Sequence, residues 1–488
     1  MDGLDCAGCR QRDAIIAELK AHIVVLEQRV VEQDRLLAEQ ARLLAEQDRR
    51  LAELEARLKT NSSNSSLPPS ANPPSAPKPP SKPPTGRKPG GQPGHVGHAR
   101  LRLPAQETVC HVPSHCERCH AALPAEAGPS DPPPTWHQVA ELPPVRVIVT
   151  EHQGHGRTCP QCGHITRAAI PAEVLAHGFG PHLTATIAFL SGRCHASKRT
   201  IEEITETLFG VPMSLGSVVN AEQEVAAALE QPYAQAEAAV QQAAVKNADE
   251  TGWARAGKLC WLWMAVGAGV AVFKICVGRG RAALASLLGE SICGTVGSDR
   301  WGAYGIIDLG ARQVCWAHLK RDFQKWVDWG GAAVRIGQAG LEAVQRLFTA
   351  WRDFRQGVLD RPGLQAALEP VTQDLKAALE GGVSCENKKV VRFCRRLLDL
   401  YPALWTFARV EGVEPTNNVA ERTLRPAVIW RKISFGNHSE AGCRFTERIL
   451  TTVQTLRLQN RQVLAYLRDA VAAHRAGQPA PELVPVGA

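Results

Sequence analysis

Apolar residues recur every seven positions through residues 14–59 of the chain. The repeating row consists of Ile16, Ile23, Val30, Leu37, Leu44, Leu51 and Leu58. A companion row is apolar at both ends but contains Gln33, Gln40 and Gln47 in its middle. This repeat predicts a coiled coil and therefore a homo-oligomer, whose register the buried Gln residues would fix. The alternative is one amphipathic helix that packs on its own chain.

The pattern is lost at residues 60–105, which form a Pro/Ser-rich linker followed by a basic arm. Residues 61–84 contain nine Pro and seven Ser, a composition typical of an extended linker. The arm contains Arg87, Lys88, Arg100 and Arg102 and has no apolar side to bury. Such a segment can follow DNA phosphates or enter a minor groove. A solubilising linker would have the same composition, and the segment alone does not separate the two interpretations.

Residues 106–170 carry two C-x-x-C pairs, Cys116/Cys119 and Cys159/Cys162, separated by 39 residues. Four thiolates in two such pairs can hold one structural Zn²⁺ in a tetrahedral site. The run Val145–Thr150 between the pairs is predicted to be a strand, as in a zinc ribbon. His115, His120 and His164 flank the pairs and are alternative ligands.

Residues 171–240 have a helical pattern. The stretch Thr200–Phe209 is followed by Gly210 and Pro212, and a second helix is predicted from about Ser214. Helix, short turn and helix is the order of a DNA-binding helix-turn-helix at 200–223, but many ordinary helical hairpins share it.

From about residue 243 the pattern changes to strands, with a meander of Lys258–Val266 and Val270–Val277 and a helix at Arg281–Leu288. We expect Asp249 and Asp299 to end two of these strands and Glu421 to lie on a short helix capped by Thr416. Three converging carboxylates form an all-oxygen site that suits Mg²⁺. Spacing alone is weak evidence, because the chain has 48 acidic residues.

Charge is distributed unevenly along the chain, although its net value is only +8 over 488 residues. Residues 61–105 contain six basic residues and no acid, and residues 416–468 contain nine basic and three acidic residues. Two basic regions are typical of a protein that binds a polyanion. The chain shows no secretory signal or membrane-spanning run, and many of its fifteen Cys are scattered singly. We therefore expect a cytoplasmic protein in a reducing compartment.

From Asp249 onward the sequence resembles the DDE transposases of the bacterial insertion-sequence family sixty-six. The matching stretches are ADETGW, SDRWGAYG, CWAHLKRDF and NNVAERTLRPAVIWRKISFGNHSEAG. The coiled coil, the GRKPGGQPGH segment and the paired C-x-x-C are also similar. The resemblance implies a multidomain α/β protein with an RNase H-like core of the retroviral integrase superfamily at 241–330 and 411–475. It also implies a helical insertion at 331–410.

The resemblance further implies that Asp249, Asp299 and Glu421 are a catalytic triad that binds two Mg²⁺ or Mn²⁺ ions. The family usually has Asp where this chain has Thr416, which puts one supporting contact in doubt. Predicted DNA contacts in this region are His318, Asn417, Arg422, Arg425, Arg431 and Lys432. Pro426 is expected to end or kink the helix. For Cys315 we favour a packing role, while His318 is either a phosphate contact or a buried, hydrogen-bonded residue.

The sequence therefore predicts a nucleoid-associated transposase that cleaves element ends and transfers them to target DNA. Small accessory proteins encoded by the same element are expected partners, and no membrane is involved. Two other functions remain open. One is a DNA-binding regulator or an inactive relic, and the other is an RNase H-type nuclease or resolvase.

Overall fold

The computed structural model describes residues 7–58, 60–62, 64–65, 101–143 and 145–484. The chain divides into two compact units. The larger comprises Met1–Ala76, Ala176–Ile201 and Leu215–Ala488, and the smaller comprises Pro77–Leu175 and Glu202–Ser214. Most of the linker and basic arm, including Arg87, Lys88 and Arg100, lies outside the described residues.

The heptad segment is one continuous helix, α1, at Ala7–Leu58. Its heptad residues from Ile16 to Leu51 are between 42% and 61% exposed. A long row of exposed apolar side chains on a helix is stabilised when a second helix covers it. The helix is confirmed, and its pairing with another copy stays a prediction.

The smaller unit contains little regular structure. Strands β1, Gly156–Thr158, and β2, Ile165–Arg167, form an antiparallel hairpin, and a short helix α2 follows at Ala172–Leu175. The strand predicted at Val145–Thr150 is wrong, because this run is irregular and its side chains are exposed. Its β-branched residues favour a strand, but no neighbouring segment pairs with it.

The larger unit is built on a mixed five-stranded sheet. Its strands are β3 Val245–Arg255, β4 Lys258–Gly267, β5 Val270–Cys276, β6 Thr295–Ser298 and β7 Arg312–Val314, in the order β5-β4-β3-β6-β7. The first three are antiparallel neighbours, and β6 and β7 are added in parallel. Two-residue turns with positive φ at both positions, Ala256-Gly257 and Ala268-Gly269, connect the meander, as tight hairpins require.

Helices cover this sheet and share its core. They are α3 Pro181–Gly192, α5 Leu215–Ala228, α6 Glu230–Gln242, α7 Arg281–Leu288, α13 Asn418–Ser434, α14 Glu440–Leu458 and α15 Val463–Arg475. The helices α3, α5 and α6, expected in a separate region at 171–240, therefore belong to the core of the sheet. Between them α4, Lys198–Phe209, ends at Gly210 with φ +67, a left-handed helix C-cap.

The outer strand β5 is covered by α14 in a regular way. The backbone N–H groups of Ala271 and Phe273 donate to the hydroxyls of Thr455 and Thr451, and that of Ile275 donates to Glu447. Four residues of helix rise about 6 Å and two residues of strand about 6.8 Å, so the two series stay in step. The helix therefore satisfies a sheet edge that would otherwise be open to pairing.

A second hydrophobic core is mainly helical and also includes Val314 of β7. It comprises α8 Trp316–Trp329, α9 Ala333–Arg355, α10 Arg361–Gly382, α11 Lys388–Asp399 and the short α12 Thr406–Arg409. Trp316, Phe323 and Leu347 are fully buried in it. Because α8 packs here, the helical cluster begins about fifteen residues before the predicted boundary at 331. Within the described part of the chain, no helix combines the length and the apolarity needed to cross a membrane.

Candidate active site

Asp249 lies on β3, and Asp299 directly follows the neighbouring parallel strand β6. The last parallel pair is Asn247 with Gly297, and each Asp follows two residues later. Residues at the same level of adjacent strands point to the same face of a sheet. The expectation that Asp249 ends its strand is wrong, because β3 continues to Arg255. Pairing with β4 extends β3, whereas its parallel partner β6 stops at Ser298, just before Asp299.

Glu421 lies in the first turn of α13, which packs against β3. The N-cap of this helix is Asn417 rather than Thr416, and no side chain caps it. The Asn417 side chain instead binds the strand: its Nδ2 donates to the carbonyl of Ala248 at 2.8 Å, and its Oδ1 accepts from Asn247 Nδ2 at 2.8 Å. The start of α13 is thereby fixed to the strand that carries Asp249.

Two further residues complete this connection, which we call the asparagine clamp (Asn247, Gly297, Cys315 and Asn417). The N–H of Asn417 donates to Cys315 Sγ at 3.1 Å. A Cβ at position 297 would lie 2.3 Å from Asn247 Nδ2, so only glycine leaves room for that amide. Asn417 is 1% exposed. Its side chain is therefore enclosed and engaged within the protein, and its predicted contact with DNA stays a prediction.

The site concentrates negative charge. The pKa of Asp249 is raised well above its usual value, first by burial and then by the charges of Glu250, Asp299 and Glu421. Burial, followed by the charge of Asp299, also raises the pKa of Glu250. A buried carboxyl group close to other carboxylates disfavours ionisation unless a cation is shared.

The donor set fits a hard divalent cation. Among the described residues Glu421 Oε1 is buried without a hydrogen-bond donor, and His318 Nδ1 and Arg321 Nη2 lie 3.7 Å and 3.9 Å from it. A carboxylate oxygen that accepts nothing is available to a metal ion. Asp249, Asp299 and Glu421 together offer the oxygen ligands that Mg²⁺ prefers. The structure does not place oxygens of all three within 4.8 Å of one another, so shared metal binding stays a prediction.

A second carboxylate network lies directly behind Asp249. Glu250 accepts hydrogen bonds from Tyr304 Oη at 2.8 Å and Arg279 Nε at 2.7 Å. The Arg279 guanidinium lies between the rings of Trp261 and Trp301, 4.6 Å and 4.0 Å from their centroids. Sequence reasoning missed this network, although Glu250 and Tyr304 occur in the same motifs as the two Asp.

Of the three tryptophans on β3 and β4, Trp253 and Trp263 are buried. Trp261 is only partly buried and packs on Arg279.

Cys315, His318 and Glu421 present ligand atoms that lie within 4.8 Å of one another. Burial raises the pKa of Cys315 to about 11, so its thiol is protonated at neutral pH. Burial, with the charge of Arg321, lowers the pKa of His318 to about 4. The thiol already accepts the Asn417 N–H, which supports the packing role predicted for Cys315. A contact of His318 with phosphate stays a prediction.

The basic residues of α13 have two different environments. Arg422, Arg425 and Lys432 are exposed. Arg431 instead donates to Thr251 Oγ1 and to the carbonyl of Gly252, and burial lowers its pKa. It therefore ties the helix to β3, and its predicted DNA contact stays a prediction.

Pro426 does not end this helix, since α13 runs through it to Ser434, and the alternative of a kink stays a prediction. The buried residues Leu424, Ala427 and Trp430 on either side of the proline hold the helix on the sheet core. Outside α13, Arg102 lies 5.4 Å from the centre of the Trp136 ring.

The two cysteine pairs of the smaller unit form similar turns. In each, the residue four positions after the first Cys donates its N–H to the carbonyl of that Cys, at 2.9 Å. Backbone hydrogen bonds, first from Cys119 and Cys162 respectively, lower the pKa of Cys116 and Cys159. The structure does not place the four sulfur atoms within 4.8 Å of one another. Shared zinc binding therefore stays a prediction.

Comparison with known proteins agrees with the sequence resemblance. Residues 9–101 match a family of unknown function. A segment of 177 residues is 27% identical to the uncharacterized protein y4qI of Sinorhizobium fredii, and it covers 35% of this chain and 32% of that protein. The chain thus matches about a third of the length of this relative. Residues 177–444, more than half of the chain, match the family described as Transposase IS66 family. That match spans both the sheet with its acids and the helical cluster, and the chain therefore belongs to the IS66 family of transposases.

Proposed function

We propose that this transposase cleaves DNA at element ends and joins them to target DNA through Asp249, Asp299 and Glu421. The observation that carries the proposal is the placement of the three acids. Asp249 lies on β3, Asp299 directly follows the parallel strand β6, and the charge of Glu421 acts on Asp249 from the helix packed against β3. The five-stranded mixed sheet, in which an antiparallel meander precedes two parallel strands, supports an RNase H-like core.

Mg²⁺ or Mn²⁺, as one or two ions, would be held by these three carboxylates. Bound there, such ions would supply activation of the attacking hydroxyl and stabilisation of the leaving oxygen. The charges of the neighbouring acids disfavour ionisation of Asp249 when no cation is present, and this supports its role as a ligand. The Cys315 thiol is a poor ligand for these hard ions.

The remaining residues of the site act by positioning. The asparagine clamp fixes the start of α13, so that Glu421 keeps its place relative to Asp249. Arg279 and Tyr304 hold Glu250 on the opposite side of β3, which restricts the strand that carries Asp249. Arg422 and Arg425 on the exposed side of α13 supply positive charge for a DNA backbone. Catalysis by positioning of this kind depends on displacements of less than about 1 Å.

The exposed heptad row of α1 supports oligomerisation, which would bring two element ends together.

The cysteine pairs of the smaller unit are candidate zinc ligands. The lowered pKa of Cys116 and Cys159 supports metal binding by these pairs. We expect about one zinc ion per chain by elemental analysis, lost on Cys116→Ser together with Cys159→Ser. A folded protein without zinc would contradict this part of the proposal.

The proposal is tested with a labelled duplex that carries the inverted repeats flanking the coding region. Wild-type protein should cut it only with Mg²⁺ or Mn²⁺, and Asp249→Asn, Asp299→Asn and Glu421→Gln should not. Glu411→Gln, a change of an exposed acid elsewhere in the larger unit, is the matched control and should cut normally. Metal-dependent binding without cutting by wild-type protein would favour a DNA-binding regulator or relic. Cutting of branched or hybrid substrates without strand joining would favour a nuclease or resolvase.

A further inference from the structure

Phe435, the residue that ends α13, has an unusual combination of backbone and side-chain properties. Its φ is +59° and its ψ is +16°, the left-handed conformation of a helix C-cap. Glycine or asparagine normally takes this position, because a Cβ is unfavourable there. The Phe435 side chain is also 82% exposed. An aromatic residue at this position therefore neither favours the backbone conformation nor adds to the hydrophobic core.

The surrounding backbone forces Phe435 into this conformation. Its N–H donates to the carbonyl of Arg431 at 2.9 Å. At the next residue, Gly436, a Cβ would lie 2.3 Å from the carbonyl oxygen of Ala254. Asn437 then exchanges backbone hydrogen bonds with Ala254 and Ala256 at the end of the β3–β4 hairpin. Both flanks of Phe435 are fixed, so the ring is held pointing away from the protein.

The exposed side of α13 that leads to Phe435 is basic and apolar. Arg422, Arg425, Ile429, Lys432 and Ile433 are all exposed, and their spacing of three and four residues places them along one side of the helix. Positive charge suits phosphates, and interleaved apolar side chains suit sugars and bases. This composition is complementary to nucleic acid.

The helix also sets how far Phe435 lies from the acids. α13 runs beside β3 in the same direction, because Glu421 acts on Asp249, Arg431 binds Gly252 and Asn437 pairs with Arg255. Fourteen residues separate Glu421 from Phe435, and a helix rises about 1.5 Å per residue, which gives about 21 Å. At about 3.4 Å per base pair, this distance corresponds to roughly six base pairs of duplex.

We propose that Phe435 is a base-stacking wedge that unstacks the DNA duplex about six base pairs from the phosphate bound at the acids. An aromatic side chain can insert at a base step and unstack it, and basic neighbours hold the adjacent phosphates. Insertion at a fixed distance would hold the duplex in one register relative to the acids. The inference rests on the proposed function, since it takes DNA as the ligand of this helix.

The experiment uses the full-length protein and the flanking-repeat duplex, with single 2-aminopurine substitutions about two to ten base pairs from the cleavage point. Wild-type protein should raise the fluorescence most near the sixth base pair. Phe435→Ala and Phe435→Gly should abolish this rise and weaken binding about 5- to 100-fold. Phe435→Tyr should retain both properties. Phe435→Gly removes the backbone strain, so poor folding cannot explain its loss of binding.

Arg425→Ala is the matched control from the same helix. It should lower the slope of log Kd against log salt concentration by about one, as expected for the loss of one phosphate contact, while Phe435→Ala leaves the slope unchanged. Wild-type binding and fluorescence in both Phe435→Ala and Phe435→Gly would overturn the inference. So would a change in oligomeric state on Phe435→Ala, because the ring would then belong to a protein interface.

The proposed function can fail separately. Duplex that is bound and unstacked but never cut leaves the wedge in place and removes the catalytic proposal. Normal metal-dependent cutting with no effect of the Phe435 variants removes the wedge alone.

Discussion

The two ends of α13 are built on opposite principles. At its first turn every polar group of Asn417 is buried and paired, and a helix terminus is fixed to a strand without a capping side chain. At its last residue an aromatic side chain is exposed on a strained backbone. The first end is buried and hydrogen-bonded like a protein core. The second end has a strained backbone conformation that folding alone does not require. Strain held in place by its surroundings is typical of functional positions.

The largest effect is expected from a substitution that removes the hydrogen bonds at the first end of α13. Asn417→Leu leaves Asn247 Nδ2 and the carbonyl of Ala248 buried without partners, each worth about 1–3 kcal/mol. We expect the free energy of unfolding to fall by about 2–5 kcal/mol and DNA cleavage to fall sharply through the displaced Glu421. Urea unfolding and a cleavage assay measure the two effects. The control Thr416→Ala should change neither, and equal behaviour of both variants would contradict the clamp.

The next effect tests the anchor beside the second end. Gly436 has φ +101°, and a Cβ there would overlap the Ala254 carbonyl. We therefore expect Gly436→Ala to lower the free energy of unfolding by about 1–3 kcal/mol. Gly257→Ala, which also changes a positive-φ glycine but has open space around its Cβ, separates the effect of overlap from that of φ. A smaller loss for Gly436→Ala than for Gly257→Ala would contradict the packing described.

A third prediction concerns the negative charge of Asp249, which lies close to Glu421 in the first turn of α13. Because the pKa of Asp249 is raised, the folded state favours its protonated form. At pH 7 without divalent metal, Asp249→Asn should therefore raise the free energy of unfolding by about 1–2 kcal/mol. The gain should shrink as pH falls, since wild-type protein then becomes protonated itself. Thermal unfolding at several pH values measures this gain, and a gain that grows at low pH would contradict it.

The smallest expected effect is a stabilisation at the second end of α13. Phe435→Gly relieves the left-handed conformation and should raise the free energy of unfolding by about 0.5–1 kcal/mol. A substitution that stabilises the protein but weakens DNA binding would show that the aromatic residue is retained for binding. Differential scanning calorimetry is the appropriate measurement, and a lower unfolding temperature for Phe435→Gly would contradict the strain.

The same contrast explains what the sequence could predict. Hydrophobic periodicity located α1 and the β3–β5 meander, and the motif resemblance located the acids, because these signals are local or shared by a family. The asparagine clamp joins residues up to 170 positions apart, and no local pattern indicates that Asn247 and Asn417 meet. For the same reason the sequence does not show that Asn417 and Arg431 bind β3, since it gives charge and polarity but not burial.

Prediction also failed where local preference competed with packing. Pro426 lies inside a continuous helix because buried neighbours on both sides hold α13 on the sheet core. The Val145–Thr150 run favours a strand by composition but has no partner. The strain at Phe435 could have been suspected from sequence only as an aromatic residue just before Gly436, which is a weak signal.

The central claim is that Asp249, Asp299 and Glu421 act together on DNA, with Glu421 held in place by the first end of α13. The most direct measurement is the single-turnover rate of cleavage of the flanking-repeat duplex in Mg²⁺. Wild-type and Glu411→Gln protein should cut at the same rate, and Glu421→Gln should bind the duplex without cutting it. Cutting by Glu421→Gln at the wild-type rate would contradict the account.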